Sequence, residues 1–225
     1  MKYHVDTGLI IQKFKENSEC PLCAIQSIVE EQFLHEFLND AVMEDSTREK
    51  VNKYGFCSEH FDKLFFRPNK LSVALQIQTR TDYIDKFLTP VRNSSGAKKQ
   101  AQVLDKLSST CIICKYTSES MEKYYKTIAS LFSKEAEFIK LLMTSKGFCM
   151  HHYAELLKYT AYAGGLKNDY AEALYNVQKK NFSRIKEEIN VFCSKHDYRN
   201  ANMPLGSAQT ALPRMREKLY GKKGD

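Results

Sequence analysis

Six of the seven cysteines in this chain, and two of its six histidines, fall into a four-ligand pattern that occurs twice. Cys20-Pro21-Leu22-Cys23 is answered by Gly55-Phe56-Cys57-Ser58-Glu59-His60, and Cys111-Ile112-Ile113-Cys114 by Gly147-Phe148-Cys149-Met150-His151-His152. Cys57 follows Cys20 at almost the interval at which Cys149 follows Cys111. Three thiolates and one imidazole, offered as two close pairs, are the donor set of a closed tetrahedral zinc site. Iron-sulfur clusters take four cysteines as a rule, so the mixed set favours zinc. The expected ligands are Cys20, Cys23, Cys57 and His60 for one ion, and Cys111, Cys114, Cys149 and His152 for a second. A free cysteine is often a small buried hydrophobe, but that reading does not account for a doubled pattern with histidine in the same slot.

The remaining candidates are weaker. His151 lies two residues after Cys149 and points to the other side of a helix, which leaves His152 as the ligand. Phe192-Cys193-Ser194-Lys195-His196 repeats the Cys-x2-His spacing but has no Cys-x2-Cys to answer it. His4 and His35 have no partner at ligand spacing. Glu59 is the one carboxylate inside a ligand pair, and a first-turn acid favoured by the helix dipole accounts for it more simply than a catalytic base.

These pairs need helix starts. Residues three apart share a helix face, so two first turns can aim four ligands at one point, and the exposed N–H groups there favour thiolates. Pro21 suits a first turn, where its missing N–H costs nothing. After Cys23 the apolar residues Ile25, Ile28, Val29, Phe33, Leu34, Phe37, Leu38, Ala41 and Val42 recur at helical period, and Tyr116, Met121, Tyr124, Tyr125, Ile128, Leu131 and Phe132 repeat the rhythm after Cys114. A second helix follows in each copy (47–54 and 135–146) and ends on Gly55 or Gly147, residues suited to the left-handed stop that lets a new helix begin at the next cysteine. A third helix starts there. After Pro68-Asn69 or Gly164-Gly165 comes a fourth, from residue 71 to about 87 and from about 170 to 191. Each Cys-x2-Cys is thus separated from its Cys-x2-His by one helical hairpin, and an ion joining them would clamp the hairpin's base.

The expected fold class is all-α: two pseudo-repeats of about four helices each, packed together, plus a short C-terminal helix. The divisions are 1–92 for the first Cys/His repeat, 93–108 for a linker region, 109–200 for the second repeat, and 201–225 for a C-terminal loop and helix. Sparse Gly and Pro (9 and 5 residues) and 43% hydrophobic content support a helical body with a real core. No secretory segment and no apolar run long enough for a bilayer is present, so a soluble, cytoplasmic protein with reduced thiols is expected. The net charge of +7 concentrates partly in Arg214-Met215-Arg216-Glu217-Lys218-Leu219-Tyr220-Gly221-Lys222-Lys223. Such a tail can touch phosphate or an acidic partner, but a solvated helix end explains it as well, and nucleic acid is only weakly supported.

Glu19-Cys20-Pro21-Leu22-Cys23, Met43-Glu44-Asp45 with Arg48, Gly55-Phe56-Cys57 with His60, Ser145-Lys146-Gly147-Phe148-Cys149 with His152, and Asp197-Tyr198-Arg199-Asn200 together resemble a bacterial family of unknown function, domain-of-unknown-function family 6062. The resemblance spans nearly the whole chain. It implies a small helical bacterial protein with duplicated Cys/His motifs and supplies no activity or substrate. Cys193 and His196 do not match the family's usual residues. Helix capping and ion pairing are the expected roles of Met43-Glu44-Asp45 and Asp197-Tyr198-Arg199-Asn200.

The function read from these residues is a non-enzymatic zinc-binding helical protein, with two structural Cys3His sites and a protein partner. The alternative is a thiol-based redox or metal-responsive switch, since oxidation of such thiols ejects the metal. A metalloenzyme is the lesser alternative, because catalysis at zinc needs an open coordination position.

Overall fold

The computed structural model describes residues 5–39, 41–195, 197–200 and 203–222, and all regular structure among them is helical. The chain forms two compact units, Met1–Ser27 with Met121–Asp225 and Ile28–Ser120, and the division falls inside two long helices. These are α2 (Pro21–Leu38) and α7 (Ile112–Lys134), the helices that open on the two Cys-x2-Cys pairs.

The first unit holds α1 (Thr7–Lys15), the first turn of α2, the greater part of α7, α8 (Ala136–Thr144), α9 (Met150–Lys158), α10 (Lys167–Ser194) and α11 (Ala211–Tyr220). Asp6 caps α1 by accepting from the Gly8 N–H. Its apolar face delivers Phe14, whose ring meets Phe138 at 5.2 Å and Phe148 at 6.1 Å, both edge-on. Phe132 of α7 packs on Tyr170 of α10 at 5.0 Å. Leu22, Ile25, Ile128, Leu142, Leu156, Leu174 and Ile185 complete the buried core.

The second unit holds the rest of α2, α3 (Asp45–Tyr54), α4 (Ser58–Phe65), α5 (Lys70–Asp85), α6 (Ser94–Ser108) and the first turns of α7. Leu34, Phe37, Leu38, Val51, Leu64, Val73, Ile112 and Ile113 form its core, with Phe33, Phe56, Phe61 and Tyr116 packed against them. Asn69 caps α5 and Asn93 caps α6. The stretch from 93 to 108 read as a linker is therefore mostly helix. Asn93 provides the start, and beyond Gly96 the residues are mainly good helix formers, such as Ala97, Lys98, Lys99, Gln100, Ala101 and Leu104. The compact units do not coincide with the duplicated motif along the sequence, because each unit draws its helix starts from both copies.

Candidate metal centres

Every ligand pair sits at a helix start. Cys57 and Cys149 are the N-cap residues of α4 and α9, while Cys20 and Cys111 immediately precede α2 and α7. The first ligand is thus the residue before the helix, and the second lies three residues on, in the first turn. The Cys149 sulfur accepts the His152 N–H at 3.5 Å, and the Cys111 sulfur accepts the Cys114 N–H at 3.5 Å, as a serine cap would. Gly55 (φ 63°) and Gly147 (φ 78°) make the left-handed turns that aim α4 and α9.

The first unit brings together Cys20, Cys23, Cys149 and His152, and the second brings together Cys57, His60, Cys111 and Cys114. Within each group the ligand atoms all lie within 4.8 Å of one another, a geometry poised to chelate a metal ion. All eight candidates gather, but the pairing corrects the hairpin expectation: each Cys-x2-Cys meets the Cys-x2-His of the other copy. Helix length supplies the reason. The 18 residues of α2 carry the chain about 27 Å away from Cys20, whereas the 10 residues of α3 return it only about 15 Å. The 23 residues of α7 and the 9 of α8 are more unequal still, about 35 against 14 Å.

Hydrogen bonds outside the clusters fix this pairing. In the second unit, Thr110 Oγ1 donates to the Tyr54 carbonyl at 2.7 Å and Ile112 N–H to the Gly55 carbonyl at 2.9 Å, tying the start of α7 to the glycine turn before α4. In the first unit, the fully buried Lys218 of α11 donates its ammonium to the carbonyls of Glu19 and Lys146, which precede the two ligand pairs. The Glu19 carboxylate is 3.3 Å from Lys218 Nζ and accepts both Arg184 Nη2 contacts, at 2.8 and 3.0 Å. Gln178 of α10 pairs with the Phe148 N–H and C=O at 3.0 Å each, and Asn181 donates to the Ser145 carbonyl at 3.1 Å. Arg80 of α5 plays the matching part in the second unit, donating to the carbonyls of Asn52 and Leu107.

Both imidazoles turn Nδ1 toward the sulfurs. His152 Nδ1 lies 3.5, 3.4 and 3.1 Å from the sulfurs of Cys20, Cys23 and Cys149. His60 Nδ1 lies 3.1, 3.4 and 3.3 Å from those of Cys57, Cys111 and Cys114. The opposite nitrogens are held too: His152 Nε2 by Gln26 Oε1 at 2.9 Å, and His60 Nε2 by Glu30 Oε1 at 2.9 Å. Glu30 also pairs with Lys63 at 2.5 Å. A held Nε2–H leaves Nδ1 with its lone pair free for a cation.

The electrostatics favour positive charge at both places. Burial works against a protonated His60, but hydrogen bonds with Cys111 and Glu30 outweigh it and hold the imidazole up at about 10. Burial likewise opposes charge on His152, yet Cys149 and Cys23 raise it to about 9. Hydrogen bonds from Cys20 and Cys23 hold the Cys149 thiol well below its ordinary range, while burial pushes Cys20 well above it. Burial also pushes against ionisation of Cys111, but His60 and nearby backbone N–H groups bring it down to about 6. The His60 hydrogen bond holds Glu30 at about 2, with Lys63 assisting against burial.

The other sequence candidates fall outside the clusters. His151 is exposed, and Glu59 pairs with Lys63 at 3.3 Å on the surface of α4. Cys193 is exposed and free, while His196 and His4 lie outside the described residues. Arg199 pairs with Asp197 at 2.6 Å, Asn200 donates to the Ser194 carbonyl, and Arg48 donates to the Val42 carbonyl at 2.8 Å. The basic C-terminus is corrected: Lys218 is buried, and Arg214 pairs with Glu188 at 2.5 Å, so these cations face inward. Lys218, Gln178, Arg80, Gln26 and Glu30 were not singled out in the sequence. For Gln26 and Glu30 a signal exists, since both follow Cys23 on the helix that the pair opens.

Comparison with known proteins places the chain in a family. The profile of the family of unknown function DUF6062 matches residues 1–225, and the chain belongs to that family. It is also similar to an uncharacterized 23.9 kDa protein in the xynA 3′ region of Caldicellulosiruptor sp. (strain Rt8B.4). The two are 22% identical over 200 residues, covering 86% of this chain and 90% of that protein. No solved structure matches. Among the described residues, no helix is long and apolar enough to cross a membrane.

Proposed function

We propose that this chain binds two zinc ions at structural Cys3His sites, through Cys20, Cys23, Cys149 and His152 and through Cys57, His60, Cys111 and Cys114, and presents the braced helical surface to a protein partner. One observation carries the reading. A tetrahedral zinc with sulfur at about 2.3 Å and nitrogen at about 2.1 Å has S···S edges of roughly 3.8 Å and S···N edges of roughly 3.6 Å. The corresponding distances are 3.7 Å for Cys23 to Cys149, 3.8 Å for Cys57 to Cys114, and 3.1–3.5 Å for the sulfurs to the imidazole nitrogens. The quoted sulfur pairs already stand at the tetrahedral edge, and a single ion drawn into either cluster needs the imidazole nitrogen to move outward by only a few tenths of an ångström.

Four protein ligands saturate zinc, and saturation leaves no position for substrate or activated water, which favours a structural role over catalysis. Three thiolates and a neutral imidazole leave one net negative charge on the centre, and the two helix N-termini that converge on each cluster offset it. The protein partner is favoured over nucleic acid because Arg184, Arg214 and Lys218 are committed to Glu19 and Glu188. A reducing cytoplasm suits seven unpaired thiols.

Elemental analysis of protein purified from zinc-containing medium, with a thiol count before and after chelation, tests this. Two zinc ions per chain, and six thiols that react with an alkylating reagent much faster once chelator has removed the metal, are expected. A chain that folds fully and carries no metal from such medium sinks the proposal.

A further inference from the structure

The two centres share ligand types, spacing and helix-start geometry, yet they differ in cover. In the first unit Cys20, Cys23, Cys149 and His152 are all buried. The chain beyond α11 closes this centre: the Lys222 N–H donates to the Cys23 sulfur at 3.4 Å, and any side chain at Gly221 would reach within 3.7 Å of that sulfur. Gly221 has φ 80°, a turn that favours glycine, and it brings the backbone against the Cys23 and Cys149 sulfurs. In the second unit the residue matching Cys23 is Cys114, which is exposed, and the residue matching Cys149 is Cys57, which is half-buried. Their sulfurs lie 3.8 Å apart.

The geometry points to Cys114 and Cys57 as a peroxide-reactive pair: a hydroperoxide oxidises them to a disulfide and releases the second unit's ion while the first unit's ion stays bound. This inference rests on the zinc reading above. The Cys114 thiolate attacks one peroxide oxygen; the S–O bond forms, the O–O bond breaks, and the leaving alkoxide or hydroxide takes a proton from water. The Cys57 thiolate then attacks the Cys114 sulfur; the S–S bond forms, the S–O bond breaks, and the departing hydroxide takes a second proton. Two thiolates lose two electrons, and the hydroperoxide is reduced to an alcohol and water, or to two waters from hydrogen peroxide. Zinc changes no oxidation state; it leaves because only Cys111 and His60 remain to hold it. Closing 3.8 Å to the roughly 2.05 Å of a disulfide is a local movement at two helix starts. In the first unit the same chemistry meets buried sulfurs, and access governs the rate of such attack.

The experiment uses full-length zinc-loaded protein carrying Cys193→Ser, which removes the exposed thiol outside both centres. Hydrogen peroxide is added with a chromogenic zinc chelator, and disulfides are mapped by mass spectrometry. One ion per chain is expected to be released, with a Cys57–Cys114 disulfide and with Cys20, Cys23 and Cys149 intact. A second protein ending at Tyr220 loses the cover of the first centre and is expected to release both ions. Release of both ions together from the full-length protein, release from the first unit first, or no release overturns the inference and leaves the zinc reading intact. Protein that arrives without zinc overturns both.

Discussion

The crossed pairing of the ligands predicts which pairs of cysteines behave as one site. Cys20 and Cys149 lie far apart in sequence and in different copies of the motif, yet they occupy one cluster, while Cys20 and Cys57 occupy two. Zinc binding in small Cys/His sites is worth about 10–16 kcal/mol, or about 3 kcal/mol per ligand on an even split, so one lost thiolate weakens a site roughly hundredfold. The double variant Cys20→Ser/Cys149→Ser leaves two ligands in the first unit and an untouched set in the second. It is expected to keep one ion at undiminished affinity. The double variant Cys20→Ser/Cys57→Ser leaves three ligands in each cluster and is expected to hold no ion at undiminished affinity. Competition against a chelator of graded strength, read as ions retained per chain, separates the two. If Cys20→Ser/Cys57→Ser retains one tight ion and Cys20→Ser/Cys149→Ser retains none, each ion joins the pairs of a single copy and the structure's pairing is refuted.

Lys218→Met removes a fully buried ammonium, strands the carbonyls of Glu19 and Lys146, and leaves the Glu19 carboxylate to Arg184; a loss of about 3–5 kcal/mol is expected in urea denaturation, and a loss below about 1 kcal/mol contradicts the bracing role. Glu30→Gln gives His60 the amide partner that His152 already has in Gln26, so zinc affinity of the second unit is expected to fall about tenfold in chelator competition while that of the first holds. In chelator-treated protein, His60 and His152 have folded-state values raised from 6.5 to about 10 and about 9. The stability from a raised group is fully present below the unfolded value and disappears as pH rises through the folded one. The depressed Cys111 and Cys149 thiols act in the opposite sense up to the ordinary thiol value of 9.0, so urea midpoints of the metal-free protein should hold level from pH 7 to about 9 and fall from about 9 to 10, and those of the zinc-loaded protein, whose imidazoles are neutral ligands, should not follow that fall. A metal-free midpoint that rises over this range contradicts the assignment.

The eight residues of the two clusters, the helix starts and the glycine stops were legible in the sequence because each depends on residues within a few positions of one another: Pro21 in a first turn, Gly55 and Gly147 before a cysteine, histidine three residues after it. The pairing depends on distance across the fold, and the motif's regular repetition pointed the wrong way. The information to resolve it was nevertheless present, since the apolar period after Cys23 runs much longer than the helix that ends at Gly55, and unequal arms cannot return Cys57 to Cys20. Chain entropy does not decide the matter. Joining residues 132 apart, as Cys20 and His152 are, instead of within one hairpin adds less than two doublings of loop length, or about 1 kcal/mol. The hydrogen bonds of Thr110 to Tyr54, and of Lys218 to Glu19 and Lys146, outweigh that. Lys218 had no readable signal at all. Within a basic C-terminal run it resembles its solvated neighbours, and its burial becomes favourable through the two carbonyls and the Glu19 carboxylate it meets far away in sequence. The cover over the first centre was unreadable for the same reason, because the Lys222 N–H meets the Cys23 sulfur 199 residues away in sequence, and no local pattern couples the two.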